Sequence, residues 1–296
     1  MSLKSIAKVL TPQTVWYAAK KVHRHLKWRT SRLRGQVLTE ESLLAEFERI
    51  GIRRGDTLLV HSSLTALGHV EGGPDAVIDA LLGAVGSAGT LLMPAFPDTG
   101  EWMDYVLSDP LFDPQTSPSS RGKISDIFWR RPGVLRSLHP THSVAALGPV
   151  AEYLVRDHER SPMPCGPDTP YGRLVDLDGR ILHLGSPFWA TPSFHLVEDA
   201  VPDFPRPVYR DEPAILRYLD LDGAEHSVPV LVHNPELVPQ RIDKVKTKEE
   251  EIYRLCKDRR VLHTDRIGPA VAHLIEARLL EELLEELVRK GITIYV

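Results

Sequence analysis

Cysteine is nearly missing from this chain: Cys165 and Cys256 are the only two in 296 residues. Two thiols cannot build a disulfide framework, so a reducing, cytoplasmic setting is expected. Long hydrophobic runs are missing as well. The apolar stretches break within about eight residues, short of the roughly 18–20 that a membrane span needs. The N-terminus has lysines but no apolar core leading to a small-residue cleavage site, so no secretory signal is read there. Internal repeats and low-complexity tracts are also lacking. Acidic residues are missing from one region only. Residues 1–39 carry nine Lys/Arg and no Asp or Glu, which leaves 27 basic against 40 acidic residues from residue 40 onward, a net of −13. A cationic arm therefore precedes an acidic body, and an acidic body suits a cationic small substrate. The remaining composition, 42% hydrophobic and 26% charged, is that of a globular chain with a sizeable core. The 24 prolines argue for long connections around a sheet.

In residues 4–28 apolar and basic residues interleave at near-helical spacing around Pro12. Such a stretch suits a membrane-surface helix or a helix docked on a partner. Nucleic acid is not expected as a partner, because the basic stripe stops at Arg34. From residue 40 helix and strand alternate. Thr39 caps a helix that ends at Gly51, and Asp56–His61 is a short apolar strand. Pro74 opens a helix to Val85, and Gly89–Pro94 is the next strand. Residues 97–122 read as a long loop, of the kind that is usually functional. Further strands are expected at Arg180–Gly185, Ala214–Leu219, Ser227–Val232 and Ile292–Val296, and a helix at Pro269–Lys290. The fold class is α/β, with a central mixed sheet flanked by helices.

Three clusters carry polar chemistry. His61-Ser62-Ser63-Leu64, followed by Gly68, lies where an apolar strand exits before a helix, the place where open α/β sheets bind ligands. Hydroxyls and free backbone N–H groups there suit a phosphate or pyrophosphate, and a plain Ser/Gly turn is the alternative. The second cluster runs from His139 through His142-Ser143 into a buried strand starting at Val144. Its two histidines have zinc-like spacing, but no third ligand is evident and no metal is expected. His142 with Ser143 could form a base and nucleophile, or simply a polar loop entering the strand. In the third, Thr191 and Pro192 start a helix on which His195 and Glu198 share a face. A carboxylate there fixes the imidazole tautomer and raises its basicity, the needs of a general base; a solvated His/Glu pair is the alternative.

Several motifs in one order then carry a resemblance. Gly55-Asp-Thr-Leu-Leu-Val-His-Ser-Ser-Leu with Glu71-Gly-Gly-Pro, Gly89-Thr-Leu-Leu-Met-Pro, Phe112-Asp-Pro-Gln-Thr-Ser-Pro-Ser, His139-Pro-Thr-His-Ser-Val-Ala-Ala-Leu-Gly and Ser193-Phe-His-Leu-Val-Glu together resemble the aminoglycoside 3-N-acetyltransferase family. The likeness is clear between residues 40 and 200 and weaker beyond. It implies a three-layer α/β/α sandwich over residues 37–296, with residues 1–36 as a separate arm. It implies acetyl-CoA as acyl donor and a primary amine of an aminoglycoside or other amino sugar as acceptor. His195 would deprotonate the amine and Glu198 would orient that ring. His61, Ser62, Ser63, Leu64, Gly68, His142, Ser143 and Val144 would line the CoA site. No covalent intermediate is required, so both cysteines are bystanders. Where many relatives carry Asn-Thr before the histidine, this chain has Thr191-Pro192. The alternative is a member that has lost turnover and binds CoA or a partner, using its arm. The arm itself is expected to attach the protein to an anionic membrane surface or a neighbouring subunit.

Overall fold

The computed structural model describes residues 37–97 and 102–296, so the arm expected at residues 1–36 lies outside the described residues. Local signals start the elements. Thr39 Oγ1 accepts from the Ser42 N–H at 3.2 Å while Ser42 Oγ accepts from the Thr39 N–H at 2.9 Å, a reciprocal cap on the first helix. Glu40 and Glu41 follow in its first turn, where the helix dipole favours negative charge.

In chain order the first half contains β1 (Val37–Leu38), α1 (Glu40–Arg49), β2 (Thr57–Ser62), α2 (Leu64–Leu67), β3 (His69–Val70), α3 (Gly73–Val85), β4 (Thr90–Pro94), α4 (Trp102–Leu107), β5 (Leu111–Phe112), α5 (Lys123–Phe128), β6 (Leu135–Arg136) and β7 (Val144–Leu147). The second half contains α6 (Ala151–Val155), α7 (Pro170–Asp176), β8 (Arg180–Leu184), α8 (Leu196–Ala200), β9 (Ala214–Leu219), β10 (Glu225–Val230), α9 (Lys246–Asp258), β11 (Leu262–Ile267), β12 (Ala270–Glu276) and α10 (Ala277–Arg289). The main sheet has the order β11-β12-β8-β2-β4-β7-β6. Its centre is parallel, with β2 between β8 and β4, and its flanks are antiparallel.

Successive strand residues face opposite sides, so a strand buried on both faces must be apolar throughout. Leu58 and Val60 of β2 join Leu91, Met93 and Leu182 in a core covered by Phe47 of α1, Ile78 and Leu81 of α3 and Phe128 of α5. Leu59 joins Leu92 and Ile181 on the other face, under Leu280, Leu283 and Leu287 of α10 and Leu174 of α7. Helices thus cover both faces of one mixed sheet, which is the α/β/α sandwich.

Several expected elements need correction. The helix expected from Pro269 begins only at Ala277, because Ala270–Glu276 is strand β12, paired antiparallel with both β11 and β8. Ile292–Val296 forms no strand; Tyr295 makes an isolated bridge with Arg241, and Thr293 Oγ1 takes the Tyr295 N–H at 3.2 Å in a local turn. The stretch read as a loop over residues 97–122 contains α4 and β5. Arg136 ties its later part down, donating to Pro114 O at 3.1 Å and Ser117 O at 2.7 Å.

Candidate active site

β2 and β8 end beside the start of the antiparallel β12, and each of the three carries one histidine in register: His61 opposite His183, and His183 opposite His273. Period-two alternation puts these rings on the face that α10 covers, in line with Leu59 and Ile181. His61 stacks on His183 with centroids 5.0 Å apart. Burial drives the His61 imidazole down to about 3, with the Arg121 charge adding to the effect, so the ring is neutral.

Beyond β8 the chain crosses to a short 3₁₀ turn, Pro192–His195. Thr191 Oγ1 accepts from the Ser193 N–H at 3.2 Å and Pro192 occupies the first turn. The turn runs directly into α8 and places His195 Nδ1 2.9 Å from Glu198 Oε1. A carboxylate only accepts hydrogen bonds, so Nδ1 holds the proton and Nε2 carries the lone pair. Two residues that sequence reasoning missed complete the arrangement. His233 Nε2 donates to Glu198 Oε2 at 3.0 Å, and the Tyr295 hydroxyl donates to Oε1 at 2.7 Å. The Glu198 side chain is wholly buried. Burial alone would raise its carboxyl, yet the bonds and charges of His195 and His233 hold it near 2. Burial lowers His195 from its ordinary value, with the Glu198 charge pulling the other way.

His195 opens on a cleft that it lines with His61, Phe96, Arg121, His142, Trp189 and Arg241. Arg241 forks onto Asp243 (Nε–Oδ1 2.5 Å, Nη2–Oδ2 3.1 Å) at the same cleft. The cleft therefore brings together three of the candidate catalytic and CoA-binding residues, His61, His142 and His195, with Glu198 behind them. It does not bring in the others. Ser62 ends β2 with its hydroxyl buried and without a partner among the described residues. Ser63 spends its N–H on Leu184 O at 2.9 Å, so the free donor expected there is committed to the sheet. Leu64 begins α2, and Gly68 follows that helix with φ +81°. Ser143 Oγ donates to Ala95 O at 2.8 Å and Val144 is buried in β7.

The contacts of the second cluster occupy one ring nitrogen of each histidine. His142 Nδ1 faces Thr141 Oγ1 at 3.0 Å, and the Ser143 hydroxyl is spent on Ala95 O. His139 Nδ1 accepts the backbone N–H groups of Thr141 and His142 at 3.3 and 3.2 Å, which removes it as a ligand atom. Among the described residues, the group whose ligand atoms cluster tightly enough to hold a metal ion is His195, Glu198 and His233, within 4.8 Å of one another. Both ring nitrogens there already donate to the carboxylate. His233 and Tyr295 left no sequence signal beyond being polar atoms in otherwise apolar segments.

The family model described as aminoglycoside 3-N-acetyltransferase matches residues 59–289. Aminoglycoside N(3)-acetyltransferase VII of Streptomyces paromomycinus is 33% identical over 81% of this chain and 88% of its own length. Among solved structures, a variant of aminoglycoside acetyltransferase AAC(3)-IVa in complex with a gentamicin superposes with TM-score 0.71 and 31% identity, covering 86% of this chain and 90% of that one. AAC-IIIb, in a binary complex with CoASH, superposes with TM-score 0.72 and 25% identity, covering 87% of this chain and 98% of that one.

Proposed function

The chain belongs to the aminoglycoside 3-N-acetyltransferase family and is an acyltransferase, and from that premise we propose a direct transfer with His195 as general base. The acetyl group moves from the thioester of acetyl-CoA to a primary amine of an aminoglycoside or related amino sugar. The relative bound to CoASH supports the donor, and the relative bound to a gentamicin supports the acceptor. The reading rests above all on one contact, the 2.9 Å bond from His195 Nδ1 to a buried, ionised Glu198 at the wall of the cleft.

A protonated amine has no lone pair to offer, so the reaction needs a base. The ammonium first gives one proton to solvent, and Nε2 of His195 then takes a second as the freed nitrogen lone pair attacks the thioester carbonyl carbon. The C–S bond breaks, the electron pair leaves on sulfur, and the imidazolium returns its proton to the thiolate. Glu198 stabilises the transient imidazolium through Nδ1, in the way a buried carboxylate serves a catalytic histidine elsewhere. His61, Ser62, Ser63, Leu64, Gly68, His142, Ser143 and Val144 are proposed for the CoA side of the site, and His61 and His142 are the two that reach the cleft.

His195→Ala tests the assignment. Thiol release should fall by about 10²–10⁴-fold, with CoA affinity nearly intact. Full activity would move the base elsewhere, with His61 next in line. Residues 1–36 are proposed as an attachment arm. Deleting them should leave the kinetic constants for a soluble amine unchanged while abolishing salt-sensitive binding to anionic vesicles or shifting the oligomeric state. Lost catalysis on a soluble substrate would refute that role.

A further inference from the structure

Glu198 receives three hydrogen bonds, and one of its oxygens receives two of them. His195 Nδ1 and the Tyr295 hydroxyl both bond Oε1, at 2.9 and 2.7 Å, while His233 holds Oε2 at 3.0 Å. We propose that Tyr295 is a positioning residue for the acetyl transfer: its hydroxyl fixes the carboxylate oxygen on which His195 depends, so that residues 292–296 complete a centre otherwise built around residue 195. The inference rests on the reading of His195 as the base.

A carboxylate held by one donor can rotate about its last torsion. With Tyr295 on one oxygen and His233 on the other, rotation breaks both bonds. The hydroxyl is itself held from outside the site. Tyr295 is 3% exposed and its backbone bridges Arg241. Its N–H goes to Thr293 Oγ1 at 3.2 Å, and the next residue, Val296, donates its N–H to Gln240 O at 3.0 Å and accepts from Arg206 Nη2 at 2.8 Å. Burial and the Glu198 charge push the phenol well above its ordinary value, so it stays a donor throughout any assay. The same backbone pair presents Ile294, Arg241, Ile242 and Asp243 to the cleft. The wall an acceptor would touch and the hydroxyl that fixes Glu198 are therefore one unit.

Sharing Oε1 has a chemical consequence. Two donors divide the basicity of one oxygen, and removing the phenol leaves that oxygen to His195 alone. The imidazole then becomes more basic, while the carboxylate loses half of its fixing. The other charged or titratable groups around the pair, His142, His233, Arg241 and Asp199, are unchanged by that removal. Replacement by phenylalanine retains the buried ring.

The experiment is Tyr295→Phe, assayed with acetyl-CoA and an accepted aminoglycoside across pH, with NMR of the His195 Nδ1 proton. We expect kcat to fall about tenfold, the size of one bond to a charged group, with KM for acetyl-CoA unchanged. The acidic limb of kcat/KM should move to higher pH and the Nδ1 proton should move downfield. A native kcat and pH limb overturn the inference, and so does a loss confined to KM for acetyl-CoA. If the phenylalanine variant is too unstable to assay, Thr293→Val, which loosens the anchor of Tyr295, must give a smaller shift of the same sign; no shift overturns the inference too. An active His195→Ala protein sinks the underlying reading of the base. An inactive one beside a native-like Tyr295→Phe sinks only this inference.

Discussion

Glu198 carries more of the candidate site than any other residue, because it is ionised, wholly buried and bonded on both oxygens. A buried charge of this kind is tolerated only when it is fully paired. Glu198→Gln removes the charge but keeps one acceptor oxygen for His195 Nδ1. We expect about a 10–100-fold loss in kcat/KM, less than for loss of the base itself, with the acidic limb of the pH profile moving down because the imidazolium loses its counter-charge. A steady-state profile checks both, and an upward shift would contradict the role given to the carboxylate. The pair His195–Glu198 was legible in the sequence because its spacing is local, three residues along one helical face. His233 and Tyr295 were not, because they reach Glu198 from 35 and 97 residues further along the chain. Only tertiary packing places them.

At the scale of elements, the apolar strands β2, β4 and β8 and the capped helix α1 announce themselves, since burial on both faces demands an unbroken apolar run. β12 hides. Its sequence, Ala-Val-Ala-His-Leu-Ile-Glu, leads without a breaker into the helical pattern of α10, and only pairing with β11 and β8 separates the two. The β2–α2 turn meets its expectation unevenly: the Ser62 hydroxyl has no partner among the described residues, while the Ser63 N–H, expected as a free donor, holds Leu184 O. The two serines should therefore respond differently. Ser63→Pro deletes that bond at the β2–β8 end and should lower Tm even without ligand, because proline has no N–H to give. Ser62→Ala removes a buried hydroxyl with no partner among the described residues, so Tm should hold or rise. If that hydroxyl serves acetyl-CoA, its KM should rise about fivefold, equivalent to the ~1 kcal/mol of one hydrogen bond. Thermal melts and donor titrations separate the two effects, and equal Tm losses from both substitutions would contradict this account.

Across the whole molecule, the strand ends and the turns behind them collect neutral histidines. Burial depresses His61 and His139 to about 3 and holds His142, His158 and His183 well below their ordinary value. Each folded value lies below the unfolded one near 6.5, so the unfolded chain binds more protons at any pH between them. The stability from keeping these rings neutral is complete above 6.5 and lost as pH falls, by up to about 1.4 kcal/mol per histidine per pH unit. Asp199 works against them. Burial raises its carboxyl to about 7, above the unfolded value near 3.9, so it favours folding at low pH and loses that contribution as pH rises through 7. Five rings outweigh one carboxyl, and the fold should be acid-sensitive well before ordinary carboxylates titrate. Melting followed by circular dichroism should show Tm falling steadily from pH 7 to pH 5. Replacing His139 and His158, which stack on each other at 4.6 Å, with phenylalanine should flatten that slope even though Ser137 loses its partner on His158. A Tm that rises toward pH 5 would show that these histidines are not held neutral in the folded protein.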